Sequence, residues 1–286
     1  MSEPFITLYT VDGRANKLVT RRRSKITKEA GPPMSEAMAR TVRVETIDEM
    51  ADLLRNIGEH ENALISLGYT PGTEPAEGEK EGSPYTVLSR KELAKRLDLD
   101  PDDGEAMAKL HEVDGKMFAV RSKRSMVPGG WMLFDRDITP GMPAHLANMT
   151  DDEWLNAMAE MIPGFSDAGL VKLPSTTGRV LVDGQPMEAS GSHYFVRIAD
   201  GDDIERFGAV LLNTAFRYDY GFMRPVLSHV DGSVVSNRAW FIADPSTFSH
   251  ERLIYDGKPT IKGKGLEVGP VEIETRPGSI LETHNL

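Results

Sequence analysis

The stretch Trp131-Met132-Leu133-Phe134-Asp135-Arg136-Asp137-Ile138-Thr139-Pro140-Gly141-Met142-Pro143 decides how the rest of the chain is read. Its apolar run, Trp131 to Phe134, reads as a buried strand, and Thr139-Pro140-Gly141 ends it. Residues i and i+2 of a strand share a face, so Asp135 and Asp137 project together from the strand's end. Two neighbouring carboxylates raise each other's pKa unless a cation lies between them, and Mg²⁺ or Mn²⁺ takes such oxygen ligands. An Asp-x-Asp pair taken alone fits a solvated strand end equally well, and it recurs in glycosyltransferases, nucleases and polymerases. Its meaning depends on what surrounds it.

Two later segments add to it. In Pro174-Ser175-Thr176-Thr177-Gly178 the hydroxyls and free backbone N–H groups suit phosphate oxygens. Further on, Ser190-Gly191-Ser192 leads into a strand that starts at His193, where the ring can donate to an anion. The plain alternative is a turn beside a surface histidine. The third segment is another apolar strand, Trp240 to Ala243, that ends in Asp244-Pro245, with Arg252 eight residues later. Three strand-end carboxylates and a set of anion donors are what a two-metal phosphoryl transfer requires.

The intervening sequence alternates strands and helices. Strands are predicted at 117–120, 131–134, 170–173, 180–182, 193–198, 223–229, 238–243 and 252–255. Thr150 with Glu153 forms a capping box before Trp154, Met158 and Met161, and Asp202–Phe216 reads as an amphipathic helix. The layout is α+β, with helices covering a mixed sheet. Upstream, 5–20 reads as a hairpin turning at Asp12-Gly13, 21–40 as a loop, and 70–84 as an exposed acidic loop. Thr46–Glu49 and Ser89–Glu92 open two further helices.

The 286 residues suffice for one large domain or two small ones, and the absence of cysteine excludes a disulfide scaffold and thiolate metal ligands. No apolar run is long enough to span a membrane and no signal peptide is recognisable, so a soluble cytoplasmic protein is expected, with no membrane partner. The formal net charge of −11 argues against a protein that coats nucleic acid. The charge is uneven, however. From Arg14 to Lys28 there are seven basic residues and no acidic one, Arg21, Arg22 and Arg23 among them. Arg121, Lys123 and Arg124 form a second cluster. A local basic groove is enough to bind a polyanion, although each run also fits a solvated loop.

The ordered set Asp135-x-Asp137, Gly191-x-His193 and Ala243-Asp244 resembles the three motifs of the archaeo-eukaryotic primase superfamily, and most of all the primase-polymerase domains of bacterial mobile elements and phages. The resemblance covers about residues 115–260 and includes the strings Asp135–Pro143 and His250–Pro259. The family's usual serine two places before the histidine is replaced by Gly191, flanked by Ser190 and Ser192. The resemblance implies a mixed β-sheet primase-polymerase core with flanking helices at 111–262. An N-terminal α/β accessory region would precede it at 1–110, and a tail or linker would follow at 263–286. It further implies that Asp135, Asp137 and Asp244 hold two Mg²⁺ or Mn²⁺ ions and carry the catalysis. His193 would bind the nucleotide phosphates, helped by Ser190, Ser192, Ser175, Thr176, Thr177 and Arg252. The basic residues Arg21, Arg22, Arg23, Arg121, Lys123 and Arg124 would contact the template. The expected activity is that of a DNA primase or polymerase acting on a single-stranded or primed DNA template with nucleoside triphosphates. A metal-dependent nuclease and a non-catalytic replication-initiator module are the rival readings. A helicase partner is expected in another protein or in a further part of a longer chain, because no Walker A sequence is present.

Overall fold

The computed structural model describes residues 1–187, 191–228 and 230–286. Two larger sheets organise it. The first is built from β1 (Phe5–Thr10), β4 (Glu36–Arg43), β5 (Ala63–Ser66), β7 (Tyr85–Leu88), β8 (His111–Val113) and β9 (Lys116–Val120) in the order β5-β1-β4-β7-β9-β8. It is antiparallel except where β9 joins β7. The second has the order β11-β15-β12-β20, from β11 (Trp131–Arg136), β12 (Leu170–Pro174), β15 (Ser192–Arg197) and β20 (Glu274–Arg276), and is antiparallel throughout. Smaller pairings complete the fold. They are β6 (Gly68–Tyr69) with β10 (Val127–Pro128), and β13 (Val180–Val182) between β14 (Gln185–Pro186) and β19 (Leu266–Val268). β2 (Leu18–Arg22) lies between β3 (Lys25–Glu29) and β18 (Thr260–Lys262), and β16 (Gly221–Leu227) pairs with β17 (Val234–Phe241). The helices are α1 (Ile47–Ile57), α2 (Arg90–Leu97), α3 (Gly104–Ala108), α4 (Ala144–Ala147), α5 (Asp151–Met161) and α6 (Ile204–Arg217). The α+β class therefore holds, although the parallel strand pairings, β7 with β9 and β2 with β18, lie outside the sheet that carries the motifs.

The second sheet is buried on both faces, and strand alternation decides what each face meets. Met132 and Phe134 of β11 with Tyr194 and Val196 of β15 point into one core, filled by Trp154 and Met158 of α5, Phe207 and Leu211 of α6, and Phe241. Trp131, Leu133 and Phe195 point the other way, into a core shared with Ile6, Ile65 and the α1 residues Met50 and Leu54. The Trp131 indole N–H donates to the Val44 carbonyl across this seam at 2.8 Å. The N-terminal sheet thus packs directly on the motif-bearing sheet. Two of the three expected capping boxes form, Thr46 with Glu49 on α1 and Thr150 with Glu153 on α5; on α2 the Ser89 hydroxyl accepts the Glu92 N–H alone.

Four local expectations are corrected. Residues 5–20 are not a hairpin, because β1 pairs with the distant β4 and β5. The basic run forms the hairpin instead: β2 pairs with β3 around a turn in which Arg23 takes a left-handed φ of 56°. Residues 252–255 form only an isolated bridge, Ile254 with Ile65. The segment 263–286 contributes β19 and β20 and buries Leu281, so it is woven into the fold and not a tail.

Candidate functional site

The face of β11 that carries Trp131 and Leu133 continues, one step further, into Asp135. Across the strand pair Asp135 is registered with His193, as Leu133 is with Phe195. A hydrophobic row therefore ends in a carboxylate–imidazole pair at the rim of the seam between the two sheets. Asp244 reaches the same rim from the other direction. After β17 the chain runs beside β11, and the Asp244 N–H donates to the Asp135 carbonyl at 2.8 Å. Asp137 follows the end of β11 and packs against Gly191, the residue before β15. A methyl group on Gly191 would come within 2.2 Å of Asp137 Oδ1 and 2.5 Å of the Arg136 carbonyl. The missing side chain at 191 is thus what admits the Asp137 carboxyl. The intervening Arg136 points to the opposite face and pairs with Asp151, which also binds Lys172 at 2.5 Å.

The centre of the site is a chain of three ionisable groups. His193 Nδ1 is 2.7 Å from Asp256 Oδ1, and Nε2 is 3.4 Å from Asp135 Oδ1. The Asp256 side chain is fully buried, and neither of its oxygens has an aligned hydrogen-bond partner among the described residues. It contributes as a charge at contact distance. Burial by itself would depress the His193 pKa, but Asp256 and then Asp135 hold it well above the ordinary histidine range and so favour the charged ring. Burial pushes the Asp135 carboxyl up. The imidazolium, with Lys17 and Arg252 in support, outweighs that and holds it below the usual range.

Asp137 behaves in the opposite way. The residue is exposed, yet the protein around its carboxyl, then Asp135 and Asp244, raise its pKa, with Lys17 and His193 offsetting only part. Asp244 is held by its own turn, where Oδ1 accepts the Ser246 N–H at 2.8 Å and the Ser246 hydroxyl at 2.6 Å. The Arg252 guanidinium lies 3.4 Å from Asp244 Oδ2 and also donates to Ser246.

Sequence reasoning missed Asp256 and Lys17. Asp256-Gly257 resembles an ordinary surface turn, and Lys17 resembles one more charge of a basic run. Buried Asn16 brings the two together. Its amide donates to the carbonyls of Glu61 and Ala63 and its oxygen accepts the Gly257 N–H at 3.2 Å. The Ser175–Thr177 hydroxyls also have a different role from the one expected. All three residues are buried in a 3₁₀ turn, and Thr176 Oγ1 donates to the Tyr255 carbonyl, so this segment braces the loop that carries Asp256 and offers no open phosphate cradle. Ser192 sits at the start of β15 opposite Arg136, and Ser190 lies outside the described residues.

The expected template contacts are dispersed. Arg21 pairs with Asp183 at 2.7 Å, and Arg22 and Arg23 are exposed at the end of the β2–β3 hairpin. Arg121 donates to the Glu251 carbonyl, Lys123 pairs with Glu205, and Arg124 packs over Gly104 beside α3.

A divalent cation is the group this donor set implies. Among the described residues no three His, Cys, Asp or Glu side chains are already gathered as a ligand set. The chemistry nevertheless fits. Asp135 Oδ1 is buried without a hydrogen-bond partner, Asp137 is raised by burial and then by two neighbouring carboxylates, and all the donors are hard oxygens. No family model, no curated protein and no solved structure matches the chain.

Proposed function

We propose that the chain is a template-directed nucleotidyltransferase of the primase-polymerase kind, with Asp135, Asp137 and Asp244 as its acidic centre. The observation that carries this reading is the convergence of these three carboxylates, from two separate parts of the sequence, beside a histidine registered opposite the first of them. A surface ion-pair cluster would relax into water. This one stands at a strand end, with one member raised and one orphaned, as a site awaiting positive charge does.

Asp135, Asp137 and Asp244 would hold divalent cations, which supply charge neutralisation at the attacking hydroxyl and at the leaving pyrophosphate. His193 Nδ1 lies in charge contact with Asp256, and Nε2 is turned toward Asp135 and the acidic centre. Its 3.4 Å approach to Asp135 is longer than a good hydrogen bond, so that proton is available to a triphosphate oxygen. Arg252 anchors Asp244 and stands ready as a second donor.

The test is primer extension. Wild-type protein, a primed single-stranded template, nucleoside triphosphates and Mn²⁺ or Mg²⁺ are expected to yield products that lengthen by single nucleotides. Asp137→Ala should abolish extension with the fold intact. Shortening of the labelled strand in place of growth would replace this reading by a nuclease.

A further inference from the structure

The β16–β17 ribbon is not used by the site chemistry. Its strands pair only with each other among the described residues, and its root is fastened by Phe222, Trp240 and Phe241 in the core. Beyond that root the ribbon leaves the body of the molecule and exposes Met223, Leu227, Val234 and Val235.

Two arginines occupy it in a way the fold does not require. Arg224 and Arg238 are direct cross-strand partners and share a face with the Phe222–Trp240 pair. Like charges placed opposite each other repel. Among the described residues neither guanidinium has a carboxylate within ion-pair distance, whereas nine of the chain's twenty arginines do. The Arg224 guanidinium carbon lies 4.3 Å from the centre of the Trp240 ring, a cation–π contact that holds the side chain over the indole. Both arginines line a cavity of about 370 Å³ with Pro140, Ser228 and Trp240. At roughly 30 Å³ per water, that is space for a phosphodiester unit and its sugar, far more than one ion needs.

The cavity also has an informative position. Pro140 belongs to the loop that leaves Asp137, and the ribbon presses on that loop: a methyl on Gly141, whose φ is 84°, would come within 2.5 Å of Pro225 Cδ. Arg238 precedes Asp244 by six residues, so the two are at most about 20 Å apart along the chain. That corresponds to about six phosphate steps of a nucleic-acid strand at 3.4 Å each.

We infer that the Arg224–Arg238 pair grips the phosphate backbone of a nucleic-acid strand bound beside the acidic centre, the ribbon and the Pro140 loop forming the two walls of its track. The choice of a nucleic acid as occupant rests on the function proposed above. The pairing of two unneutralised arginines over a cavity does not.

The test measures binding of labelled single-stranded DNA by fluorescence anisotropy across a salt series, with extension followed in parallel. In Arg224→Gln/Arg238→Gln, low-salt affinity should fall by about tenfold or more, and the log–log salt slope should shrink by about 1.4, two phosphates at about 0.7 each. Arg224→Lys/Arg238→Lys should retain most of the slope, and its melting temperature controls for folding. Wild-type affinity and slope in the Gln variant overturn the inference while leaving primer extension to stand. A change in sedimentation without a change in DNA affinity also overturns it, by giving the face to a second copy of the chain. A wild-type protein that binds DNA, with the expected slope reduction in the variant, but extends no primer supports the track and removes the polymerase reading. A wild-type protein that binds no DNA removes both.

Discussion

The strand-end cluster and the basic hairpin are both dense in charge, yet they are built on opposite principles. In the hairpin, Arg22 and Arg23 face water and Arg21 meets a largely exposed Asp183, a pair that solvent screens. Any of these side chains can move without consequence for the others. In the cluster Asp256 is wholly enclosed, His193 touches it and Asp135 together, and Asp137 fits only because residue 191 has no side chain. There each charge depends on its neighbours. Charge density in a sequence is therefore a poor guide to function until burial is known.

The comparison breaks first at Asp256. Removing one partner of a buried ion pair costs about 3–5 kcal/mol, because the other charge is left enclosed and unpaired. Asp256→Ala should lower unfolding stability by that order in urea titrations. A loss no larger than that of a hairpin variant would erase the distinction between the two regions. Gly191→Ala should come next. Overpacking costs about 1–3 kcal/mol, and displacement of the Asp137 carboxyl should suppress extension well beyond the loss of folded protein. Wild-type extension by Gly191→Ala would show that the close approach at 191 is incidental.

Asp137→Asn should have the opposite sign. The carboxyl is raised by its surroundings and by Asp135 and Asp244, so ionising it at neutral pH opposes folding. In chelator-treated buffer at pH 7 the variant should therefore melt higher than wild type. The advantage should shrink as pH falls through the raised Asp137 pKa and vanish below the unfolded-state value near 3.9. Mn²⁺ should stabilise wild type and leave the variant almost unchanged. A wild-type melting temperature indifferent to Mn²⁺ would count against the acidic centre as a cation site. The smallest effect belongs to the hairpin. Replacing Arg21, Arg22 and Arg23 with Ala should leave the urea midpoint in place and reduce the salt slope of DNA binding by about 0.7 for each phosphate that is no longer neutralised.

Much of the central region was legible in the sequence because its signals are local. The run Trp131–Phe134 alternates between two cores, Thr150 with Glu153 announces α5, and Asp183-Gly184 turns where expected. Motif order pointed to Asp135, His193 and Asp244 together, and the strand register and the Asp244 N–H bond bring these three backbones side by side. What failed was pairing at long range. Asp12-Gly13 between two apolar runs suggested a hairpin, but β1 is claimed by β4 and β5, whose buried faces belong to the seam. Asp256 was hidden for a related reason. Its burial depends on Asn16 and Thr176, which stand far away in the chain and carry no sign of that proximity. The Thr176 hydroxyl was misread because a hydroxyl that braces a backbone carbonyl looks, in sequence, like one that awaits a ligand.

The register of Asp135 against His193 gives the site a parity. Side chains alternate along a strand with a period of two, so one residue inserted into β15 on the core side of His193 would send the imidazole to the helix-covered face and bring a core aromatic to the seam. Two residues would return it to the correct face but slide it about 7 Å along β11, past Asp135 altogether. The site therefore cannot drift by small indels in these strands. Length variation that preserves it has to fall in the turns, such as Asp183-Gly184 between β13 and β14, where an added residue changes the loop without changing which face His193 is on.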